Sequence, residues 1–390
     1  MCDYPVRTVS QHHSAQPLRL LIVLPSWVGD AVMATPSLRV IREALPGAFI
    51  GGLARPGIDE VLAGSPFFDE MHVDRAVGMM GPKRVAARIR HRRYDAALLL
   101  TNSFSTALIS RLAGIPQRIG YDRDARGVLL TDALTPPRRR DTPPFNRGEG
   151  DPGGWAPVPA CEYYFTLAQH FLKGLGRIAG GRAGRAAIER MGPLELAVLT
   201  EDELAADELL RRARVPTSVR DAPSFVVLNP GGNDEPKRWP ADRFAALADY
   251  LSSHHRLIVL INGAPGEAEL VARISAMCRP ETRRVELPKY GVTLGTLKAL
   301  ISRSRLVVTN DTGPRHIAAA LGRPVITLFG PTDHRWTSIP FLDEIRLLAD
   351  PTLPEEEVAN DHPERCRIDR IGLGDVVNAA NTLLTSAAAR

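Results

Sequence analysis

The chain has 390 residues, too many for one typical domain, so two domains are expected. Its 44% hydrophobic and 24% charged residues are those of a globular protein able to bury real cores. A formal charge of +5 is mild for this length, and no interleaved basic and aromatic motif appears, so nucleic acid is not an expected partner.

Residues 1–17 are polar, lack the apolar core of a signal peptide, and read as a disordered leader. Leu18–Leu24 is apolar but stops at Pro25, which suits a buried strand and is too short to span a membrane. After the loop Pro25–Asp30 a helix is expected over Ala31–Leu45, with Leu38, Ile41 and Leu45 on one face. Thr35-Pro36 inside it marks either a kink or a fresh start with Thr35 as cap. A strand Phe49–Leu53, a helix near Ile58–Ala63, a strand near Met71–Val73 and a basic helix near Lys83–Arg92 follow. Then come the strand Asp95–Thr101 and the helix Ser103–Ala113. Strands alternating with helices imply a mostly parallel sheet covered on both faces.

Residues 135–160 are rich in proline and glycine and read as a long loop. Helices are expected near Glu162–Lys173 and over Glu201–Arg214, with a flexible basic stretch at 174–187 between them. Residues 216–223 look like a linker, which sets domains at 18–215 and 224–390. The second half runs through strand Phe225–Leu228, helix Ala241–Ser252, strand Leu257–Ile261, and helices Ala268–Met277 and Leu294–Ser302. Strand Leu306–Thr309 then leads into Asn310-Asp311-Thr312-Gly313, a short helix His316–Leu321, strand Pro324–Phe329 and a second turn, Gly330–Asp333. An irregular segment, Asp350–Ile371, precedes a terminal helix near Leu373–Leu384. Two similar α/β halves are the expected architecture, with a cleft between them as the default ligand site.

Cys2, Cys161, Cys278 and Cys366 are widely spaced, which argues against a zinc site or a disulfide framework and for a reducing, cytoplasmic compartment. The arginine-rich runs at 90–93 and 138–140 admit two readings. Either they are a solvated face, or they are drawn to phosphorylated glycolipid or an anionic membrane surface. Gly174-x-Gly176 follows a helix rather than a strand and is no dinucleotide fingerprint. Asp122-Arg-Asp124 lies in a charged loop and reads as solvated.

The candidate chemistry lies in three turns. In the turn before His316, Asp311 or Thr312 can cap the helix, and its free N–H groups beside small residues favour phosphate. Asn229-Pro-Gly231-Gly232 through Lys237-Arg-Trp-Pro240 offers glycine N–H groups and a lysine that can reach a phosphate, with Trp239 as packing. Asp30, beside Gly29 after the first strand, is either a carboxylate facing a cleft or the cap of the next helix.

NDTGPRHIAAALGRPVITLFGPTD closely resembles the donor-binding segment of the lipopolysaccharide heptosyltransferases of glycosyltransferase family 9. PSWVGDAVMATPSLRVIR resembles their N-terminal signature, GIPQRIGY matches as well, and the likeness runs from about Leu18 to Leu384. The resemblance implies a GT-B-type α/β fold, two Rossmann-like domains whose parallel sheets face across a cleft. It implies inverting transfer of a heptose from ADP-heptose to a phosphorylated lipid A–core glycolipid, without metal or cofactor. By that resemblance Asp30 is the catalytic base, with Trp27, Gly29, Asn102 and Ser103 on the acceptor side. Gly231, Gly232, Lys237, Thr312 and Gly313 would hold the donor diphosphate, Asp311 would orient that turn or bind a sugar hydroxyl, and Glu267 in GAPGEAEL would bind ribose or adenine. His316 either faces the phosphate or packs. The enzyme so described is a cytoplasmic monomer with peripheral contact to the inner membrane. The chain departs from the family at Asn233-Asp234-Glu235, acidic for a phosphate loop, and in the segment before Cys366. Two other readings remain open: a family 9 transferase with another donor or acceptor, and a sugar-nucleotide binding protein without catalysis.

Overall fold

The computed structural model describes residues 17–76, 78–138, 155–177, 191–215, 225–339 and 343–388. The chain divides into two units, Met1–Pro193 and Leu194–Arg390. In the first, β1 (Arg19–Val23), α1 (Val28–Met33), α2 (Thr35–Ala44), β2 (Phe49–Ala54), α3 (Ile58–Val61) and β3 (Glu70–Val73) come in order. They are followed by α4 (Gly81–Ile89), β4 (Ala96–Leu99), α5 (Phe104–Leu112), β5 (Gln117–Tyr121), β6 (Asp132–Leu134) and α6 (Ala160–Gly174). The second unit holds α7 (Thr200–Arg212), β7 (Phe225–Asn229), α8 (Ala241–His254), β8 (Ile258–Ile261), α9 (Ala268–Met277) and β9 (Arg284–Glu286). It continues with α10 (Leu294–Arg303), β10 (Leu306–Asn310), α11 (Gly313–Ala320), β11 (Val325–Phe329), β12 (Glu344–Leu348) and α12 (Leu373–Ala388).

Each unit carries a six-stranded sheet, in the orders β3-β2-β1-β4-β5-β6 and β9-β8-β7-β10-β11-β12, with every pair parallel. This is the Rossmann order twice over, as expected of two similar α/β halves. The central strands are buried on both faces because helices cover both, so Leu20–Val23, Val226–Leu228, Leu306–Val308 and Val325–Ile326 are unbroken apolar runs. The strand order reverses between β1 and β4 and again between β7 and β10. At such switch points the loops leaving the strands' carboxyl ends part and open a crevice. Among the described residues no helix is long and apolar enough to cross a membrane.

Several elements differ from expectation. The expected helix over 31–45 is two helices broken at Ala34, and Thr35 is not a cap: its hydroxyl donates backward to the Val32 carbonyl at 2.7 Å. The basic helix ends at Ile89 and gives one tighter turn over Arg90–Arg92, stopped by Arg93 in the left-handed region (φ 50). Strands β5, β6, β9 and β12 were not expected as strands, because QRIGY, DAL, RVE and EIRLL are short or carry charged residues. The interdomain boundary falls at 193/194 rather than at 216–223. Helix α7 belongs to the second unit because α10 covers its apolar face and the buried Lys298 ammonium sits 3.3 Å from Asp202. The leader through residue 16, residues 139–154 of the long loop, most of 174–187 and the 216–223 linker lie outside the described residues.

Candidate active site

In the second unit three buried amides stand where strands end. Asn229 closes β7, Asn310 closes β10, and Asn262 follows β8. Asn262 donates to the Asn229 side-chain amide oxygen at 2.7 Å, and Asn229 donates to the Thr312 hydroxyl at 3.0 Å. Asn310 donates to the Pro230 and Gly231 carbonyls, both at 2.9 Å, and accepts the Trp239 backbone N–H at 3.3 Å. An amide with two donors and a two-lone-pair acceptor can satisfy several loop groups at once, and buried loop groups must be satisfied. These three residues shape the turns at the switch point, and the sequence reading singled out none of them. The signal was a polar amide ending each apolar strand.

The Gly231-Gly232 turn is fixed further by Glu267, whose two carboxylate oxygens accept the Gly232 and Ala264 N–H groups at 2.9 Å each. The carboxylate lies so close over Gly231 that a β-carbon there has no room. Glu267 was expected to meet a ribose or adenine; in this structure it also orders the loop, accepting the Gly232 N–H that was read as a phosphate donor. Lys237 is half-exposed, its ammonium 3.8 Å from an exposed Asp234 carboxylate. Such a solvent-exposed pair holds little energy, so the lysine is ready to exchange partners. Trp239 is buried, with its indole N–H donating to the Ile371 carbonyl at 2.9 Å, a packing residue as expected.

Helix α11 starts at Gly313 with Pro314 in its first turn, and neither Asp311 nor Thr312 caps it with a side-chain oxygen. Asp311 is held by Arg315 at 3.0 Å and by the Thr337 hydroxyl at 3.1 Å, so it orients the turn. Arg315, fully buried, also reaches both Glu344 oxygens, at 2.7 and 3.1 Å. Removing one partner from such a pair typically costs about 3–5 kcal/mol, because the other charge is left buried. Arg315 was missed because the sequence shows it only as the residue after a helix-starting proline. His316 is buried; desolvation, with Arg315 beside it, holds its imidazole well below the ordinary histidine range. The ring is therefore neutral, its Nδ1 has no hydrogen-bond partner among the described residues, and its Nε2 lies 3.9 Å from Asp311. Beside the Gly330–Asp333 turn, a cavity of about 380 Å³ opens at the ends of β11 and β12.

In the first unit, β1 delivers the chain to α1, whose first turn contains Asp30 and whose N-cap is Trp27, without a side-chain cap bond. Asp30 is thus not the capping residue. Tyr164 of α6 donates its phenol proton to an Asp30 oxygen at 3.1 Å. Burial, reinforced by the Asp30 charge, keeps that phenol well above the usual tyrosine range, so it stays a donor. Trp27 is exposed and Gly29 half-buried.

Across the switch point, Asn102 accepts bonds from Tyr163 at 3.2 Å and from Arg126 at 3.4 Å. Arg126 is fully buried, binds the Tyr121 and Thr101 carbonyls, and is pushed by burial to about 10, which leaves it charged at neutral pH. Ser103 caps α5, accepting the Thr106 N–H at 3.4 Å, so its expected acceptor role competes with a structural one. Asp122 and Asp124 are exposed, as read. Cys161, Cys278 and Cys366 are buried. Each unit thus presents one polar cluster at its switch point: a tethered carboxylate in the first, and a cradle of turns with a half-exposed lysine in the second.

A sequence model of glycosyltransferase family 9 (heptosyltransferase) matches residues 83–143 and 194–363. Over 337 residues, 82% of this chain and 85% of the relative, identity to the lipopolysaccharide heptosyltransferase 2 of Salmonella typhimurium is 30%. Two solved structures share the fold. A family 9 glycosyl transferase from Veillonella parvula has TM-score 0.72 and 21% identity, covering 95% of this chain and 98% of that one. The E. coli ADP-heptose lipopolysaccharide heptosyltransferase II has TM-score 0.71 and 23% identity, covering 95% and 99%. The fold is thus the GT-B type of those enzymes, and the chain belongs to glycosyltransferase family 9, the heptosyltransferases.

Proposed function

We propose that this glycosyltransferase moves a heptose from ADP-heptose to a lipid A–core oligosaccharide acceptor in lipopolysaccharide core biosynthesis. The reading rests above all on the cradle at the β7/β10 switch point, in a chain 30% identical to a lipopolysaccharide heptosyltransferase. In this scheme the first unit binds the acceptor and the second the nucleotide-sugar. Trp27, Gly29 and Asn102 border the acceptor. An acceptor hydroxyl oxygen attacks the anomeric carbon from the face opposite ADP, and the anomeric C–O bond breaks with its electron pair leaving on the β-phosphate. The configuration inverts. Asp30 takes the hydroxyl proton, a role for which a positioned base contributes about 10²–10⁴-fold. Lys237, the N–H groups at Thr312 and Gly313 and the start of α11 meet the charge that develops on ADP, and no metal step is invoked. The enzyme works in the cytoplasm as a monomer, at the membrane surface where its lipid-borne acceptor lies.

Calorimetry with ADP, UDP and GDP, paired with transfer to a heptose-deficient core lipid, tests this. Wild type and Asp30→Asn should both select ADP, with transfer falling about 10²–10⁴-fold in the variant alone. Lys237→Ala should weaken ADP binding itself. A wild-type protein that binds no nucleotide would sink the reading.

A further inference from the structure

Helix α4 and its flanks carry an unusual charge distribution. From Arg75 to Arg93 the sequence holds seven lysines and arginines and no aspartate or glutamate. The whole chain is +5, so everything outside this stretch sums to 5 − 7 = −2. The helix buries Val85, Ala86 and Ile89 and turns Lys83, Arg84, Ala87 and Arg88 to solvent on one outward stripe. Beyond its end, Arg90, His91 and Arg93 are exposed around an open hollow of about 780 Å³ that also takes in Ala87, Gly114 and Pro116.

Few of these charges serve the fold. Arg92 pairs with Glu70 at 2.7 Å. Arg88 and Arg90 donate to the Val73 and Leu112 carbonyls, which orients them without neutralising them. Among the described residues, Lys83, Arg84, Arg88, Arg90 and Arg93 form no ion pair. Like charges held together repel, so the fold gains little from the unpaired ones, whereas an external anion would relieve the repulsion.

The second observation is apolar. Just before α4, Met79 is 97% and Met80 52% exposed. Two adjacent thioethers in water, at the head of a basic stripe, suit insertion into a soft apolar phase. They also sit where insertion is useful. Strand β3 ends at Val73, seven residues before Met80, at the carboxyl edge of the sheet, the edge at which β1 leads to Asp30.

We propose that α4 docks the enzyme on an anionic lipid bilayer. Lys83, Arg84 and Arg88 lie over headgroup phosphates while Met79 and Met80 enter the acyl boundary. The surface deepens the reading of a lipid-borne acceptor and rests on it for its purpose, but the binding is testable without any acceptor. A single-stranded nucleic acid would call for exposed aromatic side chains beside the stripe, and two methionines precede it instead.

The test is sedimentation of the full chain with phosphatidylcholine vesicles, with and without phosphatidylglycerol, over a range of salt. Wild type should partition onto the anionic vesicles only, and less so as salt rises. The triple variant Lys83→Ala/Arg84→Ala/Arg88→Ala should bind about 100-fold more weakly, from the loss of three surface charges. Met79→Ser/Met80→Ser should bind about tenfold more weakly, with a steeper salt dependence. Circular dichroism checks that both variants fold. Equal binding of wild type to neutral and anionic vesicles, or wild-type binding by the triple variant, overturns the proposal. So does a methionine variant that binds as wild type does, which would leave only an electrostatic surface for some other acidic partner. Calorimetric ADP binding reads out separately, so failure of the donor reading and failure of the docking surface are distinguishable.

Discussion

Tyr164 keeps its proton because it is buried against a carboxylate, and it places that proton on one Asp30 oxygen at 3.1 Å. The bond fixes the direction in which Asp30 presents its carboxylate. Tyr164→Phe should therefore lower kcat about tenfold, the worth of one hydrogen bond to a charged group, and leave ADP affinity unchanged. A packing defect would instead lower the urea midpoint together with activity. Asp30 was legible in the sequence because a carboxylate after a strand and a glycine faces the sheet's carboxyl edge. Tyr164 was not, since it lies 134 positions away on another helix. Glu267 shows the opposite limit: its position beside the loop could be read, but not that its oxygens would be spent on backbone N–H groups.

Helix α11 shows what burial does to a titratable ring at the scale of an element. Above about pH 6.5, the ordinary histidine value, His316 is neutral in both folded and unfolded chains and stability is indifferent to it. As pH falls through 6.5, the unfolded chain takes up a proton that the buried ring refuses, because its folded pKa lies well below that value. Stability contributed by the neutral ring is then lost, at up to about 1.4 kcal/mol per pH unit, until the folded pKa is reached. Urea unfolding from pH 7.5 down should show that extra slope in wild type and not in His316→Gln. The element itself was legible through Pro314 and Gly322, although it starts at Gly313 rather than His316. Strands with β-branched runs were likewise legible. The edge strands β6, β9 and β12 were not, because three to five partly buried residues show no period.

At the scale of the molecule, the two units share one strand order without an evident sequence repeat, since topology is conserved by handedness and packing rather than by side-chain identity. Where they divide was misread. The 216–223 stretch has the composition of a linker, but helix α7 before it buries Ala206, Leu209 and Leu210, and α10 covers that face. Arg303 reaches back to Asp207 at 2.7 Å, and Lys298 to the Ala197 carbonyl at 2.9 Å. A fragment of residues 194–390 should therefore unfold cooperatively. One that starts at residue 225 should be less stable by several kcal/mol, roughly the burial of two leucines and an alanine, and should bind a hydrophobic dye. Urea titration of the two fragments checks this.

The Pro230–Gly232 turn is tied down by Asn310, Glu267 and Arg238 before any ligand arrives. An anion that meets Lys237 beside it finds that backbone already ordered, and little of its freedom is surrendered on capture. Such a site distinguishes guests by shape, and it releases a spent leaving group without first having to unfold around it.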